Sequence, residues 1–259
     1  MSNSVGAGRA NLDVEARTIS PELLLEMMRH RRSSRTGFIE DKPVSDDQLE
    51  LLLQAARAAP SGANAQPWEF IIVRDREMRA EIARLYKRQL EEKIELERTI
   101  RGAVSVSGVG WRHAPVLIVV LGDPRTSMCF PLRTAEDKAD SHFFTGLANA
   151  TLQLMLIAEC MGLATQYVSD AASPYFSLML KHLLGVPQEL KVYHVVPVGY
   201  SSVVTTPKTR RSLDSTVHLE RYDRSKFRTL EYLEQFMRED SIQAPDYDRG
   251  GERKRDQGD

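Results

Sequence analysis

The sequence Ala58-Ala59-Pro60-Ser61-Gly62-Ala63-Asn64-Ala65-Gln66-Pro67-Trp68 joins a segment with helical patterning to an apolar strand. Its two prolines fix φ and donate no ladder hydrogen bond, and its glycine permits a tight bend or the close approach of a ligand. Its hydroxyl and amide side chains can donate and accept hydrogen bonds at the edge of a heteroaromatic ring. These side chains belong to Ser61, Asn64 and Gln66. The stretch therefore predicts either a ligand-binding turn or a well-capped surface loop.

The segments on either side of this turn have clear patterns. Ser45-Asp46-Asp47-Gln48 is a capping-box sequence that predicts the start of a helix. The apolar face of that helix consists of Leu49, Leu52, Leu53 and Ala56. After the turn, Glu69 to Val73 is rich in Ile, Val and Phe and predicts a β-strand.

An arginine-rich segment lies upstream. Ser20-Pro21 predicts a helix start, with serine as the cap and proline in the first turn. Four arginines then fall within Arg29–Arg35, where the helix is expected to end. Cations are favourable at a helix C-terminus, and arginines also bind phosphate oxygens in bidentate fashion. Both interpretations of the arginines are open on spacing alone.

Downstream of the strand, Arg74 to Arg101 predicts a long, highly charged helix with a thin apolar stripe. The stripe consists of Met78, Ile82, Leu85, Leu90 and Ile94. Such a helix is typical of a solvated surface helix or a mobile lid, and we place a lid at about residues 76–112. The small residues Val104–Gly110 are typical of a hinge or of a lid tip.

The second half of the chain alternates strands and helices. Ala114–Leu121 is a continuous apolar run that predicts a buried central strand, and Gly122–Asp140 is a polar insertion. Phe143–Met161 is apolar on nearly all sides, which predicts a helix in the core or at a dimer interface rather than a membrane span. Further strands are predicted at Ala164–Val168 and Val192–Tyr200, and helices at Pro174–Leu184 and Glu220–Glu239.

Composition limits the function classes. The 259 residues are 42% hydrophobic and 27% charged with a net charge of −1, so we predict a globular fold without a nucleic-acid or polybasic membrane surface. Cys129 and Cys160 are far apart, and the histidines have no metal-ligand spacing, so we predict no disulfide scaffold and no metal site. The N-terminus lacks the apolar region of a signal peptide, so a cytoplasmic location is expected. Residues 1–17 and the end of the 216–259 extension are expected to be flexible, and 18–215 to form the main domain.

Three separated segments combine anion and amide chemistry: Arg31–Arg35, Pro60–Gln66 and Lys208–Arg211. A ligand with a phosphate at one end and a polar heterocycle at the other would use all three. The sequence has no GxGxxG, P-loop, HExxH or GxSxG motif. The pattern therefore predicts a mononucleotide site without a Rossmann loop.

In this order and spacing, the motifs resemble the nitroreductase superfamily of FMN enzymes, from about Arg29 to Leu213. The motifs are Arg31-Arg32-Ser33-Ser34-Arg35, Ala59 to Trp68, Ala114-Pro115, Gly162-Leu163, Pro197-Val198-Gly199-Tyr200 and Arg210 to Asp214. The turn is similar to that of the iodotyrosine deiodinase branch. That branch binds an amino-acid zwitterion with a lid Glu, a Tyr four residues later and a Lys before the Ala-Pro strand, and this chain has no such set. Its lid tyrosine, Tyr86, has Ile82 four residues earlier.

The resemblance implies an α+β fold with a mixed sheet flanked by helices, in an intertwined homodimer with FMN at the subunit interface. It implies that the arginine segment and Arg210 hold the phosphate and ribityl chain, that Ser61 and Asn64 read the flavin edge, and that Ser169 donates a hydrogen bond near N5. The full implied cofactor set is Arg31, Arg32, Ser33, Ser34, Arg35, Pro60, Ser61, Asn64, Gln66, Tyr167, Val168, Ser169, Arg210 and Arg211. Expected substrate contacts are Gly62, Ala63, Tyr86 and Trp111, although both aromatics could equally belong to the core or the surface.

The function that follows from the resemblance is ping-pong reduction of a nitro-, quinone- or other electron-poor aromatic substrate, with NADPH or NADH as the electron donor. One alternative is a reductive dehalogenase that acts on a halogenated phenol or tyrosine. Another is a flavin-binding partner protein without turnover.

Overall fold

The computed structural model describes residues 20–101, 108–205 and 210–239, and it contains a four-stranded sheet with the order β1-β2-β4-β3. The strands are β1 (Trp68–Val73), β2 (Val116–Gly122), β3 (Ala164–Thr165) and β4 (Lys191–Gly199). The helices are α1 (Pro21–His30), α2 (Asp46–Arg57), α3 (Arg76–Arg101), α4 (Leu132–Cys160), α5 (Pro174–Leu184), α6 (Leu213–Thr216) and α7 (Leu230–Glu239). Helices flank the sheet, so the predicted α+β class is confirmed.

Strand β2 organises the core because all seven of its residues are buried. Its odd-numbered positions from Leu117 to Leu121 pack in one cluster with α3 and α5. Its even-numbered positions from Val116 to Val120 pack in a second cluster with α2 and α4. As predicted, the apolar run is continuous because it forms a strand that is covered on both faces.

The sheet is antiparallel at every pairing of named strands. One isolated parallel bridge, between Ser33 and Thr165, is the parallel element among the described residues. The mixed sheet that was expected is thus antiparallel except for this bridge.

Three helix boundaries follow from capping chemistry. The Ser20 hydroxyl accepts a hydrogen bond from the Leu23 N–H, and Ser45 and Gln48 form both bonds of a capping box at the start of α2. Helix α5 ends at Gly185, which adopts a left-handed φ of 66°.

Three elements differ from their predicted extents. Helix α4 begins at Leu132 rather than Phe143, so the predicted polar insertion contains a 3-10 helix at Pro124–Cys129 and the first turns of α4. The charged residues of those turns face solvent, and they therefore lack the apolar period that marks a helix. Strand β3 is only two residues long. In place of a helix over 220–239, α7 starts at Leu230, after Glu220 at a φ of 58° and a 3-10 helix at Arg224–Lys226.

The long charged helix α3 has two different halves. Ile82, Leu85 and Gln89 are buried against the core, whereas residues 95–100 are exposed. The first half is therefore a core helix, and only the second half retains the surface exposure expected of a lid. Most of the hinge predicted at Val104–Gly110 lies outside the described residues.

Helix α4 is long and apolar enough, by length and composition, to cross a membrane. In this fold Leu147, Ala150 and Leu154 are fully buried in the cluster with α2 and the sheet. It is thus a core helix here, as the sequence predicted.

Candidate functional site

The turn that follows α2 has a strained backbone. Ala63, Asn64 and Gln66 adopt left-handed φ values of 50°, 55° and 46°. L-residues rarely adopt this region, and strained backbone of this kind clusters at ligand sites. The Ser61 hydroxyl holds the turn by accepting a hydrogen bond from the Gln66 N–H at 3.0 Å. The side chains of Ala63, Asn64 and Gln66, together with Pro60, are exposed.

The turn packs directly on the first half of α4. A Cβ on Gly62 would lie 2.4 Å from His142 Nδ1, and a Cβ on Gly146 would lie 3.3 Å from Ser61 Cβ. Both positions are close backbone approaches that a larger side chain would disturb. Helix α4 therefore fixes the position of the turn.

The arginine segment runs beside β3. The Ser34 N–H donates to the Thr165 carbonyl at 2.8 Å, and Ser33 forms the parallel bridge with the same residue. Arg32 Nη1 donates to the carbonyls of Arg29 and Arg31. These bonds fix the backbone of the segment against the sheet.

Positive charge is concentrated at this segment. Burial lowers the pKa of Arg31, and nearby Arg210 and Arg32 lower it further, while Glu159 near the end of α4 opposes them. Arginine nevertheless stays protonated. Two guanidinium N–H groups are buried without a partner among the described residues, the Nε of Arg32 and the Nε of Arg211. The arrangement is a cationic site with unused donors.

The other arginines of the predicted set have specific neighbours. Arg211 also donates through Nη2 to the Ser215 carbonyl, which ties it to α6. Arg35 is half-buried, and its carbonyl packs so closely on Gly110 that a Cβ there would come within 2.2 Å.

Within one chain, the turn and the arginines lie at different points along α4. The turn contacts Gly146, whereas Arg31 interacts with Glu159. Thirteen residues of helix separate these two positions, which corresponds to about 20 Å at 1.5 Å per residue. The structure therefore brings Arg31 together with Arg210 and Arg32, at a different position along α4 from the turn.

The predicted N5-side segment follows β3. Tyr167 stacks on His194 with centroids 4.0 Å apart, and burial raises its pKa, as does a hydrogen bond with Tyr193. Val168 is buried and pairs with Val195. Ser169 is exposed at the start of a 3-10 helix, and its hydroxyl forms no hydrogen bond within the described chain. Ser169 is therefore available to a ligand.

Of the two expected substrate aromatics, Trp111 is a core residue, and Tyr86 is half-buried and packs against the core. Trp111 is 3% exposed, and Tyr86 packs edge-on between Trp111 and Phe176 at 5.2 and 5.4 Å. Burial, with the Asp170 charge, raises the pKa of Tyr86 to about 12. These positions agree with the alternative that the aromatics pack in the core. Stacking of Trp111 on a substrate is not supported, because its ring is covered.

Three polar residues near the site were not identified from the sequence as site residues. Asn149 Nδ2 donates to the Pro60 carbonyl at 3.0 Å, and His142 Nδ1 and Gln166 Oε1 are buried without partners among the described residues. Asn149 could have been recognised from the sequence as a candidate site residue, because its amide interrupts the apolar pattern of α4. Nothing in the sequence marks the other two, because their importance arises from long-range packing.

Two cavities lie elsewhere on the molecule. One of about 510 Å³ borders α3 and the loop of residues 108–113, and one of about 900 Å³ lies between α2, β1 and α3. The predicted cofactor residues line neither of them. In the described residues no group of three His, Cys, Asp or Glu side chains could hold a metal ion.

Comparison with known proteins gives a consistent result. The model of the Nitroreductase family matches residues 28–200. A relative from Archaeoglobus fulgidus, named NADH dehydrogenase/NAD(P)H nitroreductase, is 30% identical over 69% of this chain and 86% of its own length. The iodotyrosine deiodinase of Thermotoga neapolitana is 28% identical over 69% of this chain and 89% of its own length. A solved iodotyrosine deiodinase bound to FMN and 3-iodo-L-tyrosine has a TM-score of 0.59 at 24% identity, covering 77% of this chain and 98% of that chain.

Proposed function

The chain belongs to the nitroreductase family, and from that membership we propose that it binds FMN and uses NADPH or NADH to reduce an electron-poor aromatic substrate. That it is a flavin oxidoreductase follows from the family and from its relatives. The proposal that the chain binds FMN rests mainly on one observation. Arg31, Arg32 and Arg210 lie close together at one end of α4, and the buried Nε of Arg32 has no partner among the described residues.

The arginines fit the phosphate of FMN. A phosphate would accept hydrogen bonds from the unpartnered Nε groups of Arg32 and Arg211 and would offset the repulsion between Arg31 and its neighbours. An unsatisfied buried donor is costly, so such a cluster is more stable with an anion present. FMN, when bound, would supply the hydride chemistry that links the nicotinamide donor to the acceptor in ping-pong order.

The remaining residues would orient the isoalloxazine ring. The strained turn would present the Asn64 and Gln66 side chains to a polar ring edge, and the Ser61 hydroxyl holds the turn in its shape. The exposed Ser169 would donate a hydrogen bond near N5 through its hydroxyl or its N–H. Gly62 and Ala63 would lie over the ring on the substrate side.

We further propose that the complete site needs two copies of the chain. Within one chain the turn and Arg31 interact with positions of α4 about 20 Å apart, and in a dimer the turn of a partner subunit would complete the arginine site. Helix α1 has no buried residue and exposes apolar side chains. The segment from α6 to α7 also exposes apolar side chains. These side chains are Leu23, Leu25, Met28, Leu213, Leu219, Phe227 and Leu230. Apolar surface of this extent is typical of an interface.

Reduction of a nitroaromatic or a quinone is favoured over dehalogenation. The similarity to iodotyrosine deiodinases supports the second activity as the runner-up. However, the lid Glu, Tyr and Lys that hold the zwitterion in that branch have no counterpart set here, because Ile82 stands four residues before Tyr86 and residues 105–113 contain no lysine.

The test uses the purified protein loaded with FMN. We expect oxidation of NADPH or NADH that depends on a nitroaromatic or quinone acceptor, with kinetics showing the parallel-line pattern of a ping-pong reaction. Release of halide from a halophenol without reduction of quinones would favour the dehalogenase. A protein that does not retain FMN would contradict both.

A further inference from the structure

The cavity of about 510 Å³ between α3 and residues 108–113 has a lining that selects a chemical class of ligand. We propose that this cavity, here called the α3 cavity, binds a small carboxylate with an apolar or aromatic body. Its volume lies in the range of small-molecule sites. The proposal is independent of FMN, because no predicted cofactor residue lines the cavity.

The floor of the α3 cavity is apolar. Its floor residues come from one face of α3 and from the loop that precedes β2. They are Ala80, Ala83, Leu90, Ile94 and Val109. Ala83 and Val109 also belong to the core cluster, so the floor is a fixed part of the fold. An apolar ligand body would gain free energy by leaving water for this surface.

The rim of the cavity is basic. Five arginine or lysine side chains line it, against two carboxylates. Glu40 is shared by Arg76 at 3.2 Å and Arg79 at 3.7 Å, and Glu91 pairs with Lys87 at 3.4 Å. Both carboxylates of the lining are therefore already engaged with cations.

Arg112 is the cation best placed to receive a ligand anion. Its Nε donates to His113 Nε2 at 2.9 Å, and in the described part of the chain its side chain forms no ion pair. His113 in turn faces Glu40 at 3.5 Å through Nδ1. Among the described residues no carboxylate pairs with Arg112, so its charge is available to a ligand anion.

The apolar floor and the basic rim together favour binding of a ligand that has one negative charge and an apolar body. A cation would be repelled by the rim. A neutral ligand would cover Arg112 without pairing its charge, which is unfavourable. A carboxylate with an apolar body satisfies the guanidinium in bidentate fashion and covers the floor at the same time.

The test is isothermal titration calorimetry on the full-length protein without any nicotinamide. The probes are 4-phenylbutyrate and its neutral counterpart 4-phenyl-1-butanol. We expect saturable one-to-one binding of the carboxylate, at least about tenfold tighter than that of the alcohol, because a charge-assisted hydrogen bond has about that effect. Arg112→Gln should remove this preference. Arg88→Gln is the matched control, because Arg88 is exposed on the same region of α3 and does not line the cavity.

A second variant separates the cavity from nonspecific surface binding. Ala80→Phe places a ring in the cavity from an exposed helix position, so it should abolish binding of both probes while the protein remains folded. Equal affinity for 4-phenylbutyrate in wild type, Arg112→Gln and Ala80→Phe would overturn the proposal. Absence of saturable binding to the wild type would overturn it as well. Neither result depends on whether the protein reduces a substrate.

Discussion

Arg32 is the residue whose substitution tests the cationic site at the end of α4. Its buried Nε has no partner in the described part of the chain, and a bound phosphate would supply one. Arg32→Ala should weaken FMN binding at least about tenfold, because a charge-assisted hydrogen bond contributes about 1.5–3 kcal/mol. Quenching of flavin fluorescence during titration measures the affinity. Arg29→Ala is the control, since Arg29 is exposed at the end of α1. Equal FMN affinity in all three proteins would show that the arginines do not bind the phosphate.

Gly62 is the residue that lets the strained turn approach α4. Gly62→Ala places a Cβ 2.4 Å from His142 Nδ1, so the ring must move or the turn must open. We expect a loss of about 1–3 kcal/mol in the free energy of unfolding, the usual cost of overpacking. Urea denaturation measures it.

Two further variants serve as controls for this prediction. Gly108→Ala adds the same methyl group where no described residue lies within 4 Å, and it should leave stability nearly unchanged. His142→Ala in the Gly62→Ala background should recover part of the loss. Equal stabilities of the two glycine variants would mean that the close approach is absent in solution.

His194 should make stability depend on pH. It is fully buried, and its Nε2 donates to the Thr151 hydroxyl, which itself donates to the Leu147 carbonyl. Burial lowers the pKa of His194 to about 3. In the unfolded chain the pKa is about 6.5, so between these values the unfolded state binds the extra proton. The stabilising contribution is complete above about pH 6.5 and is lost as the pH falls towards 3.

The measurement is urea denaturation at pH 7.5 and at pH 5.0. The slope from one such group approaches about 1.4 kcal/mol per pH unit. His194→Gln removes the titrating ring, and its unfolding free energy should fall less between the two pH values. Parallel pH profiles for the two proteins would contradict a neutral buried imidazole.

At the level of elements, the sequence predicts best where capping and burial agree. Helix α5 has its predicted bounds, because proline starts it and Gly185 ends it in a left-handed conformation. The start of α4 was missed, because its first turns are solvated on most sides and show no apolar period. The left-handed φ values of Ala63, Asn64 and Gln66 could not be predicted, since residues other than glycine rarely adopt them without long-range packing.

Helix α3 should show two levels of protection from amide hydrogen exchange. Residues around Ile82 to Gln89 are held by the core and by the Gln89 side chain, which accepts from the Phe176 N–H at 2.9 Å. Beyond Lys93, which pairs with Asp170, the helix is exposed. We expect amides of residues 95–100 to exchange at least about tenfold faster than those of 82–89, because they open without disturbing the core. Mass spectrometry of peptic peptides resolves the two segments, and uniform protection along α3 would contradict the division.

For the whole molecule, the sequence identified the family but not the α3 cavity. The cavity joins Glu40, the middle of α3 and the loop before β2, which are separated by many residues. No local pattern links them, because the cavity exists only after the sheet has brought the elements together. The same reason explains why Trp111 could be expected beside a ligand and yet lies in the core.

The exposed apolar surface of the single chain leads to a prediction about assembly. Leu219 and Leu230 are 84% and 67% exposed, in a segment that contributes little to either core cluster. If the chain works alone, charged substitutions there should be nearly neutral. If a second copy covers them, each substitution buries an unpaired charge and opposes association.

The double variant Leu219→Glu/Leu230→Glu should therefore shift the protein from dimer to monomer in size-exclusion chromatography with light scattering. FMN affinity should fall with it, because the proposed site takes the turn from one copy of the chain and the arginines from the other. Leu96→Glu is the control, since Leu96 is 61% exposed on the outer half of α3 and lies away from the proposed interface. A wild-type monomer that binds FMN as tightly as the double variant would show that one chain completes the site alone.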